Sequence, residues 1–374
     1  MISQKNFALT GMMMLCFALC IAVFIYLTGD IGFQGDDWWI FGIPYWNGFP
    51  ESVLVYANES KRPIEGLYWI TLYEIFGLYE PAFLAGSLIL LALSCLMMSK
   101  CLLRAFPDYK QWAIMSGLLS FVITPLGNLV FMLHTDNSRI SCLFFWISVW
   151  FFQSWAQQPK NNLKLSLPIL FYCLATLTYE NCSLLIFAVP LLAFPVFNQH
   201  DDGKNNSTFR FLVKLFISMS VGFSLFLAIR FIVFGGGAVG HKSLTPPLEL
   251  GISYMWNLAE YMIFPIKSMK CDPEALMWAF LFSFFCLWFL KVYSSGSAEK
   301  KDSANGFSTR SNIIWMTMFS FSIIVLGMAP YLLAGYTPDW GLTSQSRIYS
   351  SAGFGVAALI CLPLTLSNGC SALG

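Results

Sequence analysis

Two adjacent carboxylates, Asp36 and Asp37, follow the first apolar run of the chain. Only 11% of the 374 residues are charged, and acids placed beside a membrane helix are costly and usually serve a function. A carboxylate can take the proton from a hydroxyl group that attacks the anomeric carbon of a sugar. Trp38 and Trp39 come next, and their rings can stack on a sugar or lie at a membrane interface. The alternative is a solvated acidic loop, and the spacing leaves open which acid is the base.

A second polar group consists of Arg62 and Glu65, which lie on either side of Pro63 and Ile64. Proline fixes its own backbone and restricts the preceding residue, so Arg62 is held in a defined conformation ahead of a predicted helix. A guanidinium in that position can bind a phosphate through two hydrogen bonds. The alternative is an arginine that extends to the lipid headgroups. Glu65 is a candidate for contacting the substrate.

Further acids and bases lie where apolar runs end. Asp136 and Arg139 belong to a polar turn at 134–139, and they can contribute to a site or pair with each other. Glu180 is flanked by leucines and must face water or the protein interior. It is a candidate for binding the acceptor or for holding an arginine.

Three more cations are candidates for binding a phosphate. Arg347 begins the last apolar run, where it would meet a phosphate at the membrane interface. Arg230 lies four residues from the end of another run and Lys242 in the loop that follows it, beside His241. Extension toward the interface explains Arg230 equally well.

No motif predicts a metal or a cofactor. The sequence has no HExxH, no phosphate-binding loop and no glycine-rich dinucleotide motif. Most of the 11 cysteines lie in apolar runs, where Cys behaves as a small hydrophobe, and Cys182 with Cys271 is the candidate disulfide. The net charge of +1 does not indicate a nucleic-acid partner.

The composition predicts an all-α polytopic membrane protein. Hydrophobic residues make up 57% of the chain and aromatic residues 17%, with a mean hydropathy of +0.65, whereas soluble proteins are about 45–50% apolar. Apolar runs bounded by charges or turn residues predict about ten spans. They are 7–28, 82–103, 111–133, 140–156, 165–180, 183–198, 211–234, 275–293, 312–334 and 350–367.

The distribution of Lys and Arg predicts a cytoplasmic N-terminus, with the first span as an uncleaved signal anchor. Two long loops then face outward, 29–81 with Asp36 and Asp37, and 235–274. The segment 64–76 is too interrupted for a span, and its Trp and Tyr content favours a helix in the interface. The chain reads as one domain, 1–374.

Gly35-Asp36-Asp37-Trp38, Arg62-Pro63, Tyr179-Glu180 and Arg347 resemble motifs of GT-C-type polyprenyl-phosphate-sugar glycosyltransferases. The closest resemblance is to the Gtr-type O-antigen glucosyltransferases associated with serotype conversion. It implies transfer of a hexose, with glucose as the expected sugar, from a polyprenyl-phosphate carrier to O-antigen, lipopolysaccharide or another lipid-linked glycan. The first-loop acids then act on the acceptor, and Arg347 and Arg62 hold the donor phosphate.

The resemblance also implies a bacterial inner membrane with a periplasmic active site, a donor-synthesising enzyme and a flippase that supplies the donor. Two features depart from the family. Its usual Gly-Arg-Pro is Lys61-Arg62-Pro63 here, and the chain ends soon after its last span, which suggests a short or truncated member. Alternatives are an O-antigen polymerase or ligase, and a transporter or lipid flippase, which would show broken or charged segments within the membrane.

Overall fold

A computed structural model of the chain describes residues 4–28, 36–123, 136–159, 161–199, 205–233, 309–333 and 349–363. Every element within these ranges is helical, and none of them contains a strand. The α-helices are α1 Gln4–Thr28, α2 Asp36–Trp46, α3 Phe49–Ser60, α4 Pro63–Phe76, α5 Glu80–Ala105, α6 Lys110–Ile123, α7 Asp136–Ala156, α8 Ser166–Thr178, α9 Val189–Asn198, α10 Asn205–Ala228, α11 Thr309–Leu333 and α12 Tyr349–Ile360. Shorter elements are the 3₁₀ segments Asn162–Leu165, Glu180–Cys182 and Leu185–Ala188, and the π-helical turn Ile229–Val233.

Four helical stretches in the described residues are long and apolar enough to cross a membrane. They are Glu80–Ala105, Glu180–Asn198, Thr208–Ala228 and Ser311–Pro330. A span needs roughly 20 apolar residues, and each of these meets that requirement. The chain is therefore a helical membrane protein. The predicted span 275–293 lies outside the described residues.

Helices α5 and α7 run parallel. The hydroxyl of Ser94 donates to the carbonyl oxygen of Arg139 at 3.3 Å, and two turns further on the thiol of Cys101 contacts the carbonyl oxygen of Trp146 at 3.6 Å. Each contact advances by the same number of residues on both helices, which fixes their direction. Side-chain hydrogen bonds to a neighbouring backbone are well suited to joining helices in a membrane.

Helices α8 and α9 form an antiparallel hairpin against α7. Ser141 and Ser148 of α7 donate to the carbonyl oxygens of Tyr179 (3.1 Å) and Pro168 (2.7 Å), so α8 runs opposite to α7. Gln153 of α7 donates to the carbonyl oxygen of Leu192 (3.3 Å), further along the returning helix. The turn of the hairpin therefore lies beside the first residues of α7.

The chain between α8 and α9 is not α-helical. Tyr179 is extended, and the 3₁₀ segments follow before α9 begins at Val189. Pro190 is the second residue of α9, where a missing N–H leaves no intrahelical bond unmade. The span predicted at 183–198 thus begins with a turn and the 3₁₀ segment Leu185–Ala188, and it is α-helical only over the 10 residues Val189–Asn198.

Helices α6, α11 and α12 pack closely through small residues. A Cβ atom at Gly355 of α12 would lie 2.5 Å from the carbonyl oxygen of Ser320 in α11, and one at Gly117 of α6 would overlap the hydroxyl of Ser99 in α5. The indole N–H of Trp112 donates to the carbonyl oxygen of Ala358 at 2.8 Å. Such close contacts compensate for the weak apolar driving force between helices in lipid.

Helices α2, α3 and α4 fold into a small layer with its own apolar core. Trp69 of α4 is fully buried and stacks on Phe83 of α5, with ring centroids 5.8 Å apart. The helix predicted at 64–76 is therefore present as α4, but Trp69 and Ile70 face protein rather than the membrane interface. Helix α4 connects this layer to the bundle by packing against α8.

The bundle has two chemically different ends. At the first, which we name the Arg104 end, Arg104 donates to the Trp150 carbonyl oxygen, to Ser154 and to Gln157. At the second, which we name the Glu180 end, the hairpin turn meets the first residues of α7 and α4. The candidate site lies at the Glu180 end.

Candidate functional site

The backbone around Arg62 joins α3 to α4 by an abrupt turn. Lys61 has φ 60° and ψ 26°, which is the left-handed conformation, and its N–H donates to the carbonyl oxygen of Ala57. Ser60 accepts a hydrogen bond from the N–H of Arg62 at 3.1 Å, and Pro63 is the first residue of α4. Helices often end in a left-handed residue, and glycine is favoured there because it lacks a Cβ. The usual glycine of the resembled motif corresponds to this position.

Arg62 lies between two carboxylates and against an aromatic ring. Its Nη2 donates to Oε2 of Glu180 at 3.2 Å, and its Nη1 lies 3.8 Å from Oε2 of Glu65. The guanidinium carbon is 4.4 Å from the centre of the Tyr179 ring, a cation–π distance. One guanidinium thus contacts groups from α4 and from the hairpin turn, which are far apart in sequence.

Glu65 is the buried member of this group, with 2% of its side chain exposed. Asn137 donates to its Oε1 at 3.1 Å, and Tyr56 also hydrogen-bonds to its side chain. A buried carboxylate needs a partner for its charge, and Glu65 has a nearby cation and two hydrogen bonds. It connects α3, α4 and α7 at one point.

Burial and the neighbouring charges shift the pKa values of Arg62 and Glu65. Burial alone lowers the pKa of Arg62, but the negative charges of Glu180 and Glu65 outweigh it and raise the pKa above its ordinary value. Burial raises the pKa of Glu65 above its ordinary value, although Arg62 and the hydrogen bonds from Tyr56 and Asn137 oppose that rise. Arg62 is therefore a permanent cation beside one carboxylate that resists ionisation.

Helix α2 reaches the site through two aromatic side chains. The rings of Trp39 and Tyr56 are 5.6 Å apart, and Tyr56 in turn bonds Glu65. Trp39 is in the first turn of α2, which begins at Asp36. The start of the helix that carries the paired acids is thus two side chains away from Glu65.

Exposed aromatic side chains continue along α2. Trp38, Tyr45 and Trp46 are 55%, 71% and 81% exposed. Trp and Tyr on a surface next to apolar helices suit a membrane interface, and their flat faces also suit a sugar ring.

The other predicted site residues are placed as follows. Asp36 and Asp37 begin α2, and Asp136 begins α7. Arg139 is buried in the first turns of α7, two residues beyond Asn137. Arg230 is in the π-helical turn after α10.

Arg347, Lys242 and the proposed disulfide partner Cys271 lie outside the described residues. Cys182 is a free thiol in this structure, and its sulfur lies 3.8 Å from that of Cys142.

The structure adds two side chains to those predicted from the sequence, Asn137 and Tyr56. Asn137 lies in the polar segment 134–139, where only the charged residues Asp136 and Arg139 were predicted to contribute. Tyr179, predicted only as part of the Tyr179-Glu180 motif, also has a place here, because its ring contacts Arg62. Tyr56 lies in the middle of α3 with no polar neighbour pattern to mark it, so only the packing of α3 on α4 identifies it.

Among the described residues, no group of three or more His, Cys, Asp or Glu side chains is arranged to hold a metal ion. Comparison of the chain with family models, curated proteins and solved structures gives no match.

Proposed function

We propose that this membrane protein is a glycosyltransferase that moves a hexose, namely glucose, from a polyprenyl-phosphate carrier to O-antigen or another lipid-linked glycan. The observation that carries the proposal is the position of Arg62, a partly exposed cation at one end of a membrane bundle. Its neighbour Tyr56 contacts Trp39 of α2, the helix that begins at Asp36. A lipid phosphate would present its anionic group at the same level. The resemblance of the sequence motifs supports the same reaction.

In the proposed reaction, Asp36 or Asp37 takes the proton of an acceptor hydroxyl. The hydroxyl oxygen forms a bond to the anomeric carbon as the bond from that carbon to the phosphate oxygen breaks, with inversion. The electron pair of the broken bond leaves on the lipid phosphate, whose growing charge the guanidinium of Arg62 stabilises. Arg347 is a further candidate for that phosphate, with Arg230 and Lys242 as weaker ones.

The proposal includes the finer topology: about ten spans of GT-C type, in the bacterial inner membrane, with the Glu180 end facing the periplasm. The Arg104 end would then face the cytoplasm. The helix directions agree with this arrangement, because α5, α7 and α9 start at the Glu180 end and α8 starts at the other.

The test is the mass of the O-antigen repeat unit in a host that supplies the polyprenyl-phosphate-hexose donor. We expect the chain to add one hexose, and we expect the addition to be lost in Arg62→Ala and in Asp36→Asn or Asp37→Asn. Glu59→Gln, an exposed acid on α3, is the control and should retain transfer. An unchanged repeat unit, with normal amounts of the chain in the membrane, would refute the proposal.

A second candidate, a transporter or flippase of a lipid-linked substrate, is favoured by one observation. The segment carrying Glu180 interrupts the helices between Thr178 and Val189, and broken helices bearing charges occur at transporter binding sites. Asp36→Asn and Asp37→Asn separate the two functions, because they should abolish transfer but leave movement of a lipid-linked substrate across vesicles unchanged.

A further inference from the structure

We propose that Glu180 is an exchangeable counter-ion of Arg62, and that the phosphate of a lipid-linked ligand binds by taking its place while Glu65 stays. This inference rests on the proposed function for the identity of the ligand. It does not rest on glycosyl transfer for the exchange itself.

The two carboxylates around Arg62 are held very differently. Glu65 is enclosed, with hydrogen bonds from Asn137 and Tyr56, and it belongs to the regular helix α4. Glu180 has 28% of its side chain exposed, and it belongs to a three-residue 3₁₀ segment at the hairpin turn. A ligand that approaches from solvent or lipid can therefore reach Arg62 and Glu180 but not Glu65, which is 2% exposed, and a short 3₁₀ segment is easier to rearrange than an α-helix.

The present partners of Arg62 accept hydrogen bonds from only some of the donors of its guanidinium. Nη2 donates to Glu180 at 3.2 Å, whereas Nη1 is 3.8 Å from Glu65, beyond hydrogen-bond distance. Nε is buried and has no hydrogen-bond partner among the described residues. Nε and Nη2 form one edge of the guanidinium, and two oxygens of a phosphate match that edge with parallel hydrogen bonds.

Charge balance favours the exchange. Burial disfavours the ionised form of Glu65, so Arg62 and ionised Glu180 together form one neutral pair. Adding a phosphate without releasing Glu180 would place two anionic groups on one cation at a partly desolvated position, which is unfavourable. Release of Glu180 to solvent removes one of them, and the Tyr179 ring, 4.4 Å from the guanidinium carbon, keeps Arg62 in place.

The ligand class is a phosphate monoester or diester at the membrane surface. A polyprenyl phosphate, the headgroup of an anionic phospholipid and free inorganic phosphate share this chemistry. The position at one end of membrane helices, beside the exposed Trp38, Tyr45 and Trp46 of α2, favours a lipid-borne phosphate, and the donor carrier is the proposed occupant.

The experiment measures how fast the purified chain in detergent is modified at individual carboxyl groups by a water-soluble carbodiimide and an amine, read by peptide mass spectrometry. Polyprenyl phosphate, phosphatidylglycerol and inorganic phosphate are each added at equal concentration. We expect polyprenyl phosphate to raise modification of Glu180 several-fold, with Glu65 unchanged and exposed Glu59 as the internal standard. The Arg62→Gln variant should show no increase on addition.

A binding measurement with the same probe gives a second reading. Glu180→Gln keeps the shape of the side chain but removes the competing charge, so polyprenyl phosphate should bind roughly three- to tenfold more tightly than to the unaltered chain. Glu59→Gln should leave the affinity unchanged. Weaker binding in Glu180→Gln would mean that Glu180 holds the ligand, and it would overturn the exchange.

The remaining outcomes are distinct. Protection of Glu180 by polyprenyl phosphate, or no response to any probe, overturns the exchange even if hexose transfer is observed. A response to polyprenyl phosphate without hexose transfer supports the exchange and refutes the proposed function. An equal response to phosphatidylglycerol overturns the donor as the occupant and assigns the place to membrane headgroups.

Discussion

Lys61 has a conformation that suits glycine better than lysine, and this has a measurable consequence. Its left-handed backbone, φ 60°, brings Cβ close to the following carbonyl oxygen. The turn at Lys61 sets the direction in which Arg62 leaves α3. The left-handed conformation of Lys61 is therefore a local strain in the turn that leads into α4.

Lys61→Gly should raise the free energy of unfolding by about 1 kcal/mol, because glycine adopts this conformation without the Cβ clash. The measurement is the thermal unfolding of the purified chain in detergent. Ser60→Gly is the control one residue earlier; it should lower stability, since Ser60 is helical and its hydroxyl bonds both Tyr56 and Arg62. Equal effects of the two substitutions would contradict the left-handed assignment.

The raised pKa of Glu65 predicts a pH dependence of stability. A carboxyl group whose pKa is higher in the folded than in the unfolded protein contributes stability below its ordinary pKa, 4.5, and loses that contribution as pH rises through the folded value. The unfolding temperature of the unaltered chain, relative to Glu65→Gln, should therefore be greatest near that lower pH and fall as pH increases. A difference that grows with pH would mean that Arg62 stabilises the ionised form more than burial destabilises it.

At the scale of helices, the layer made by α2, α3 and α4 places Glu65 by close packing. A Cβ atom at Gly66 would lie 2.6 Å from Cδ1 of Tyr56, and Tyr56 is the residue that bonds Glu65 and contacts Trp39. The separation of α3 from α4 thus determines whether α2 and Glu65 stay connected.

Gly66→Ala should destabilise the chain by about 1–3 kcal/mol and reduce hexose transfer, because the added methyl group forces Tyr56 away from Glu65. The measurements are thermal unfolding and the repeat-unit mass. Gly42→Ala is the matched control, because Gly42 is also a glycine inside a helix and no atom lies within 4 Å of its added Cβ. It should leave stability unchanged or raise it by up to about 1 kcal/mol. Full activity in Gly66→Ala would show that transfer does not need the contact between Tyr56 and Glu65.

Sequence patterns predicted where individual helices lie better than they predicted which helices pack against each other. Long apolar runs predicted α5, α10 and α11, because hydropathy and length alone decide such helices. The pairing of Arg62 with Glu180 depends on how α4 packs on α8, and no local pattern contains that information. The burial of Trp69 and the interrupted segment before Val189 also follow from neighbouring helices rather than from propensity.

At the scale of the whole molecule, the two ends of the bundle differ in the charged side chains that they carry. Arg104, Lys164 and Lys214 bond loop or helix-end groups at one end, whereas Arg62 lies with acids at the other. Basic residues in short loops tend to stay in the cytoplasm. This favours the orientation in which the Arg104 end is cytoplasmic.

The orientation predicts which side of the membrane each end contacts. Glu59→Cys, at an exposed position near the Glu180 end, should react with a membrane-impermeant thiol reagent added to intact spheroplasts. Leu163→Cys, 81% exposed near the Arg104 end, should react only after the membrane is permeabilised. The unaltered chain, whose described cysteines are mostly buried, gives the background. The reverse pattern would invert the topology and the proposed periplasmic site.

The two carboxylates beside Arg62 are synthesised at different times, so they can act at different stages of folding. Glu65 is three residues away and can neutralise the guanidinium as soon as α4 has formed, whereas Glu180 is 118 residues away and joins only after the later hairpin has been made. A nascent arginine at a membrane surface would otherwise be without a counter-ion through much of translation. Loss of Glu65 should therefore lower the yield of inserted chain, and loss of Glu180 should alter only the assembled protein.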